Sequence, residues 1–204
     1  MSSELARKIS TVFHPISFPI VTVLLYFLLI PKYYNWSVKL VIISIVVLGT
    51  IIFPLVLLLY LKNAGFIDNF NLFTPKERKF PLLVMIIIAM MMGRLFYKMQ
   101  ITEDISFYFM AGAIVLAFAY LLLWFNIKLS LHTIGLGSIL GFLIYLSVYY
   151  QLNFLIIISI LFILFGIIAK VRLELKAHNN MEIFIGFVLG VLLQLVIPLL
   201  YQKI

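Results

Sequence analysis

The chain has 204 residues, 65% hydrophobic and 11% charged, with a formal net charge of +8. Its mean hydropathy is +1.23, and a soluble domain of this size has no interior large enough for so much apolar surface, so its solvent is lipid. The basic excess then points to membrane orientation, anionic lipid head groups or a phosphate-bearing ligand rather than nucleic acid, while zero cysteines exclude disulfides, thiolate metal sites and cysteine nucleophiles.

Roughly 20 apolar residues cross a bilayer as a helix, and most of the chain is spent on such runs. Residues 1–14 are polar with an apolar stripe of Leu5, Ile9, Val12 and Phe13, and they read as an interfacial helix. No small-residue cleavage site marks a secretory signal. Residues 15–204 read as a single transmembrane helical domain with no soluble appendage. The first apolar run, about 15–31, is short, starts with Pro15 and Pro19, and either spans or re-enters. The second, about 38–61, carries Pro54 as an expected kink. A polar stretch from Lys62 to Phe80 ends in Thr74-Pro75-Lys76-Glu77-Arg78-Lys79-Phe80-Pro81. The third run is about 81–98, and a turn around 100–104 leads to the fourth, about 105–126. Asn126 to Thr133 interrupts again, and the fifth and sixth runs follow at about 133–150 and 153–169. The last run is about 182–202. The expected fold is all-α: a polytopic membrane bundle of six to seven transmembrane helices.

Between the last two runs lies a charged island, Val171-Arg172-Leu173-Glu174-Leu175-Lys176-Ala177-His178-Asn179-Asn180-Met181-Glu182. Its skeleton is Arg-x5-His-x3-Glu. With its end helical, His178 and Glu182 lie one turn apart on one face, a pairing that fixes an imidazole tautomer. Arg172 brings a permanent positive charge to the same place. From His178 a stripe of Glu182, Gly186, Gly190 and Gln194 recurs every fourth residue and should face protein rather than lipid. Gly137 and Gly141 are expected to form a second helix-contact face. Two runs separate the basic segment at 76–81 from Ser130-Leu131-His132, and two more separate that from the island. An even number of crossings returns the chain to the same side, so all three polar segments should meet at one membrane face.

These segments resemble the three motifs of the type 2 phosphatidic acid phosphatase superfamily, Lys-x6-Arg-Pro, Pro-Ser-Gly-His and Ser-Arg-x5-His-x3-Asp. Arg172, His178 and Glu182 match the third spacing, with Val171 for serine and glutamate for aspartate. Leu129-Ser130-Leu131-His132 keeps the serine and histidine of the second. Arg78-Lys79-Phe80-Pro81 matches the first loosely: two residues separate arginine from proline, and Asn71 stands where the lysine would fall. The likeness covers roughly residues 60–200.

The resemblance implies a lipid phosphate phosphatase working through a phosphohistidine. His178 would be the nucleophile, and Glu182 would hold the proton on its other ring nitrogen. His132 would be the general acid for the leaving group. Arg172, Arg78, Lys79, Lys76 and Ser130 would bind the phosphoryl oxygens. The implied substrates are phosphatidic acid, phosphatidylglycerophosphate, undecaprenyl diphosphate or lipid A phosphates, with the head group in the polar pocket and the tail in lipid. No cofactor is implied, and three scattered histidines with few carboxylates argue against a metal-dependent hydrolase. His14 reads as structural.

The likeness further implies a bacterial cytoplasmic membrane with the site leaning to the extracytoplasmic face, which a re-entrant first run would also give. If that run spans, the site's face holds Arg7, Lys8, Lys62, Lys76, Arg78, Lys79, Lys128, Lys170, Arg172 and Lys176, against Lys32, Lys39, Arg94, Lys98 and Lys203 opposite. That balance favours the cytoplasm, although six against five remain once Lys76, Arg78, Lys79 and Arg172 are set aside as ligands. The competing expectation is a catalytically inactive relative that binds or moves lipid phosphates, or scaffolds a membrane complex. A transporter is disfavoured by the lack of an internal repeat.

Overall fold

The computed structural model describes residues 2–67, 74–100 and 103–201, and among them every regular element is helical. The helices are α1 (Ser3–Val12), α2 (Phe18–Leu29), α3 (Trp36–Val47), α4 (Phe53–Asn63), α5 (Pro75–Met99), α6 (Glu103–Leu122), α7 (Leu131–Tyr150), α8 (Leu155–Glu174) and α9 (Asn180–Tyr201). Seven stretches among the described residues are long and apolar enough to cross a membrane, with α1–α2 and α3–α4 each counted as one. The protein is an integral membrane helix bundle, and its outward faces meet lipid.

Local sequence explains the boundaries. Pro54 has no N–H for the carbonyl of Thr50, and its ring would crowd that carbonyl in a regular helix. The chain widens into a π turn at Leu48–Ile52 instead, a common resolution of such a clash, so α3 and α4 run on as one rod. Helix α5 begins well before the apolar run at 81. Thr74 caps it, with its hydroxyl accepting from Glu77 N while the Glu77 carboxylate accepts from Thr74 N. This capping box with Pro75 at the first helical position makes the charged segment the first turns of a helix. Asn71 lies outside the described residues.

Helix α7 is the most deeply buried of the spans. Glycines let α9 lie directly on it: a Cβ at Gly137 would collide with the Phe187 carbonyl, and one at Gly141 with that of Val191. Such close approach of backbones is the usual way two helices associate where lipid removes the hydrophobic drive. This contact sets the start of α7 beside the start of α9, and hence residue 132 near residue 178.

The two ends of the bundle are chemically distinct. His14, just before α2, stands with its ring centroid 6.0 Å from that of His132. At the far end of α2, Tyr26 donates to Asp104 Oδ2 at 2.9 Å. The first apolar run therefore passes from one end of the bundle to the other, which settles the expectation of six or seven crossings at seven. Residues 76–81, 128–132 and 172–182 all gather at the His132 end.

Candidate functional site

The site is built where α5, α7, α8 and α9 begin or end at one level. Asn179 caps α9: its side chain accepts from Glu182 N at 2.9 Å, and Glu182 Oε2 accepts from Asn179 N at 3.2 Å. Glu182 Oε1 also accepts from Lys128 N at 3.3 Å, which ties the island to the segment before α7. The carboxylate is thus held by two backbone amides before it meets the imidazole.

His178 Nδ1 lies 2.9 Å from the Lys128 carbonyl and 3.0 Å from Glu182 Oε2. Both partners can only accept, so Nδ1 carries the proton and Nε2 the lone pair. That Nε2 is buried and has no hydrogen-bond partner. Burial holds the His178 pKa well below the usual histidine value, and Arg78, Arg172 and Lys128 push the same way, against the hydrogen bond to the Lys128 carbonyl. The ring is therefore neutral at physiological pH, with a basic nitrogen left over. Lys128 is itself pushed down by burial and by Arg78, while Glu182 pulls it back up.

His132 has the opposite arrangement. Its Nε2 is 3.2 Å from the Ser10 carbonyl, which can only accept, so this nitrogen carries the proton. The same nitrogen is 3.2 Å from Ser10 Oγ, and Arg172 Nη1 donates to that hydroxyl at 2.9 Å. Two imidazoles lining one pocket thus hold opposite tautomers, with a buried lone pair on His178 Nε2 and an N–H on His132 Nε2 shared with Ser10. Both line one cavity of about 270 Å³, together with Arg78, Arg172, Ser10 and His14. Arg78 is buried, and its Nη1 donates to the Leu129 carbonyl at 3.2 Å.

Other expected ligands fare differently. Ser130 is fully buried at the N-cap of α7, yet its hydroxyl makes no capping bond and has no partner. Arg172 Nε is likewise buried without a partner. Lys79 turns away from the site, with its ammonium 3.8 Å from the centroid of the Trp124 ring. Lys76 is exposed and does not line the cavity. Among the described residues no group of three histidines, cysteines or carboxylates could hold a metal ion.

Ser10 is the residue that sequence reasoning passed over. Helix α1, read from the sequence as an interfacial helix, packs on α8 and delivers Ser10 between Arg172 and His132. Nothing in the local sequence signals a contact with a partner 122 residues away. The Asn179-x-x-Glu182 capping box, by contrast, is a readable pattern that gives Glu182 a structural role beside its place next to His178. No protein-family model matches this sequence, and comparisons with curated proteins and with solved structures return no match either.

Proposed function

We propose that this membrane protein is a lipid phosphate phosphatase of the type 2 phosphatidic acid phosphatase kind, acting through a phosphohistidine at His178. One observation carries the reading. The His178 imidazole is locked by two acceptors on Nδ1, which leaves its buried Nε2 lone pair without a partner in a residue that lines one cavity with two arginines and His132. An unpartnered basic nitrogen in a positively charged pocket is costly for stability and is what nucleophilic attack on a phosphate needs.

In this reading the Nε2 lone pair forms a bond to phosphorus while the ester or anhydride P–O bond breaks. His132, as the imidazolium in the loaded site, passes its Nε2 proton to the departing oxygen and is left neutral. Glu182 stabilises the charge left on the phosphorylated ring, a task for which Oε2 at 3.0 Å is already placed. Water then attacks phosphorus, returns a proton to His132, and the N–P bond breaks back to the neutral imidazole. Arg172 and Arg78 hold the phosphoryl oxygens as charge spreads over them. Ser10 Oγ, which accepts from Arg172 and adjoins His132, marks a point where a phosphoryl oxygen would bridge the two, and substrate has to displace it.

Seven crossings remove the premise of a re-entrant first run. The ten Lys and Arg residues counted on the site's face against five opposite then favour a cytoplasmic site. The placement of Ser10 also favours a second reading, in which the pocket binds lipid phosphates without turning them over. Phosphate release from short-chain lipid phosphates by purified protein separates the two. Release that vanishes in His178→Ala and in His132→Ala supports the phosphatase. Binding without release by the unaltered protein selects the second reading, and release that survives His178→Ala overturns the mechanism.

A further inference from the structure

The chain has three histidines, and all three line the same cavity. His132 and His178 are buried and carry the proposed chemistry. The third, His14, read from the sequence as structural, is exposed. It lies in the link between α1 and α2, and its ring stands edge to face with that of His132, the centroids 6.0 Å apart. The backbone N–H of Ile16 approaches His14 Nδ1 at 3.4 Å. That group can only donate, so Nδ1 accepts and the proton of the neutral ring sits on Nε2. Nothing among the described residues accepts from that Nε2. Capping the short turn Pro15–Ser17 thus uses one nitrogen and leaves the other free.

The surroundings of His14 say what the free donor would meet. Its neighbour His132 is joined through Ser10 to Arg172, and these groups would face the departing oxygen and the phosphoryl oxygens. The residues that follow His14 in the chain, Pro15, Ile16, Phe18 and Pro19, also line the cavity, and they are apolar. His14 therefore stands where the head group gives way to the tail.

We infer that His14 donates its Nε2–H to an oxygen of the leaving group beyond the scissile one, and so selects lipid phosphates that carry such an oxygen over plain alkyl phosphates. The inference rests on the reading of the polar end as a phosphate site and names what that site recognises beside the phosphate. Hydrogen bonds to charged oxygens span about 2.8 Å, so two rings with centroids 6.0 Å apart can reach neighbouring oxygens of one leaving group. In a lipid diphosphate that second oxygen belongs to the inner phosphate. In an acylglycerol phosphate it belongs to the glycerol hydroxyl or the ester. A simple alkyl chain has only carbon there and leaves the donor unpaired.

Two variants separate this role from the turn cap. His14→Asn keeps an acceptor for Ile16 N, since asparagine caps such turns well, and has no group at the place of Nε2. His14→Gln does the opposite: its amide nitrogen reaches that place while the near acceptor is lost. Both are made in the full-length His178→Gln protein in nanodiscs of neutral lipid, so that no turnover intervenes. Dissociation constants are measured for farnesyl diphosphate, lauroyl lysophosphatidic acid and radiolabelled dodecyl phosphate. We expect His14→Asn to weaken farnesyl diphosphate, the lysolipid or both by ~10-fold or more, the effect of one hydrogen bond, while dodecyl phosphate holds within about 3-fold. His14→Gln should hold all of them within about 3-fold. Loss confined to the diphosphate assigns the donor to an inner phosphate, and loss confined to the lysolipid assigns it to a glycerol oxygen. Equal loss of every ligand, a loss in His14→Gln as large as in His14→Asn, no loss in His14→Asn, or no binding of any of these lipids overturns the inference. The expected pattern in a protein that releases no phosphate would sink the phosphatase and leave the role of His14 standing.

Discussion

Two polar clusters sit at opposite ends of the same helices, and they are built on opposite terms. At one end Asp104, 4% exposed, accepts from Tyr26 at 2.9 Å, Tyr145 at 3.1 Å and Tyr150 at 2.7 Å, with Lys32 Nζ 3.9 Å away. Both of its oxygens are served. Tyr34 extends the network by sharing a 2.8 Å hydrogen bond with Tyr26. At the other end, three of the four buried side-chain atoms without partners among the described residues crowd together: Ser130 Oγ, Arg172 Nε and His178 Nε2. A satisfied buried network stiffens a fold, whereas leftover donors and acceptors cost stability. The difference sets a fully served clasp against a pocket with partner-free buried atoms, and it is what supports the proposal of a site at the second end.

That contrast can be broken by mutation. The largest expected effect is on activity. His178→Ala should lower kcat by at least ~10³-fold, since the bond-forming atom is gone, while thermal unfolding in detergent moves little, because Glu182 keeps both backbone amides. His132→Ala should cost ~10²–10⁴-fold, the usual worth of a positioned acid. Asp104→Leu should do the reverse. Three phenols lose their shared acceptor, and stability should drop by about 3–5 kcal/mol with phosphate release per folded molecule unchanged below the transition. If Asp104→Leu abolished activity in folded protein, the two ends would not be separable.

A smaller effect follows from protonation. The folded-state pKa of His178 lies at about 3, below its unfolded value, so the unfolded chain binds the extra proton first. Its contribution to stability is complete above about pH 6.5 and is lost as pH falls toward 3, at no more than about 1.4 kcal/mol per pH unit. Unfolding temperatures between pH 7.5 and 5 should show that loss, and His178→Gln should flatten it. Smallest of all, Ser10→Ala removes a hydroxyl that substrate must displace. It should raise kcat/KM by less than about tenfold, in line with one hydrogen bond, as measured on a short-chain lipid phosphate. A severe loss instead would make Ser10 part of the catalytic machinery.

Much of the bundle was legible because lipid imposes a simple length rule, and parity alone put three distant segments at one end. The Arg172–His178–Glu182 spacing was legible as a pattern, but not for the expected reason: His178 lies in the link between α8 and α9, and it meets Glu182 ahead of the Asn179 cap rather than along a helix face. The Asp104 clasp was not legible, since its four members look like ordinary turn and interface residues until the helix ends converge. The position of Lys79 was not legible for a related reason: Trp124, 45 positions on, takes its ammonium over the ring. The early start of α5 was readable in Thr74-Pro75-x-Glu77, but its charges look like loop when only hydropathy is counted. Ser10 lay beyond any local rule.

The central claim is tested most directly by rapid quench of the protein with a ³²P-labelled single-chain lipid phosphate. A phosphoenzyme that is acid-labile and base-stable, maps to His178 and is absent from His178→Gln is the predicted result. Turnover with no trapped label, or a label on any other residue, would contradict it.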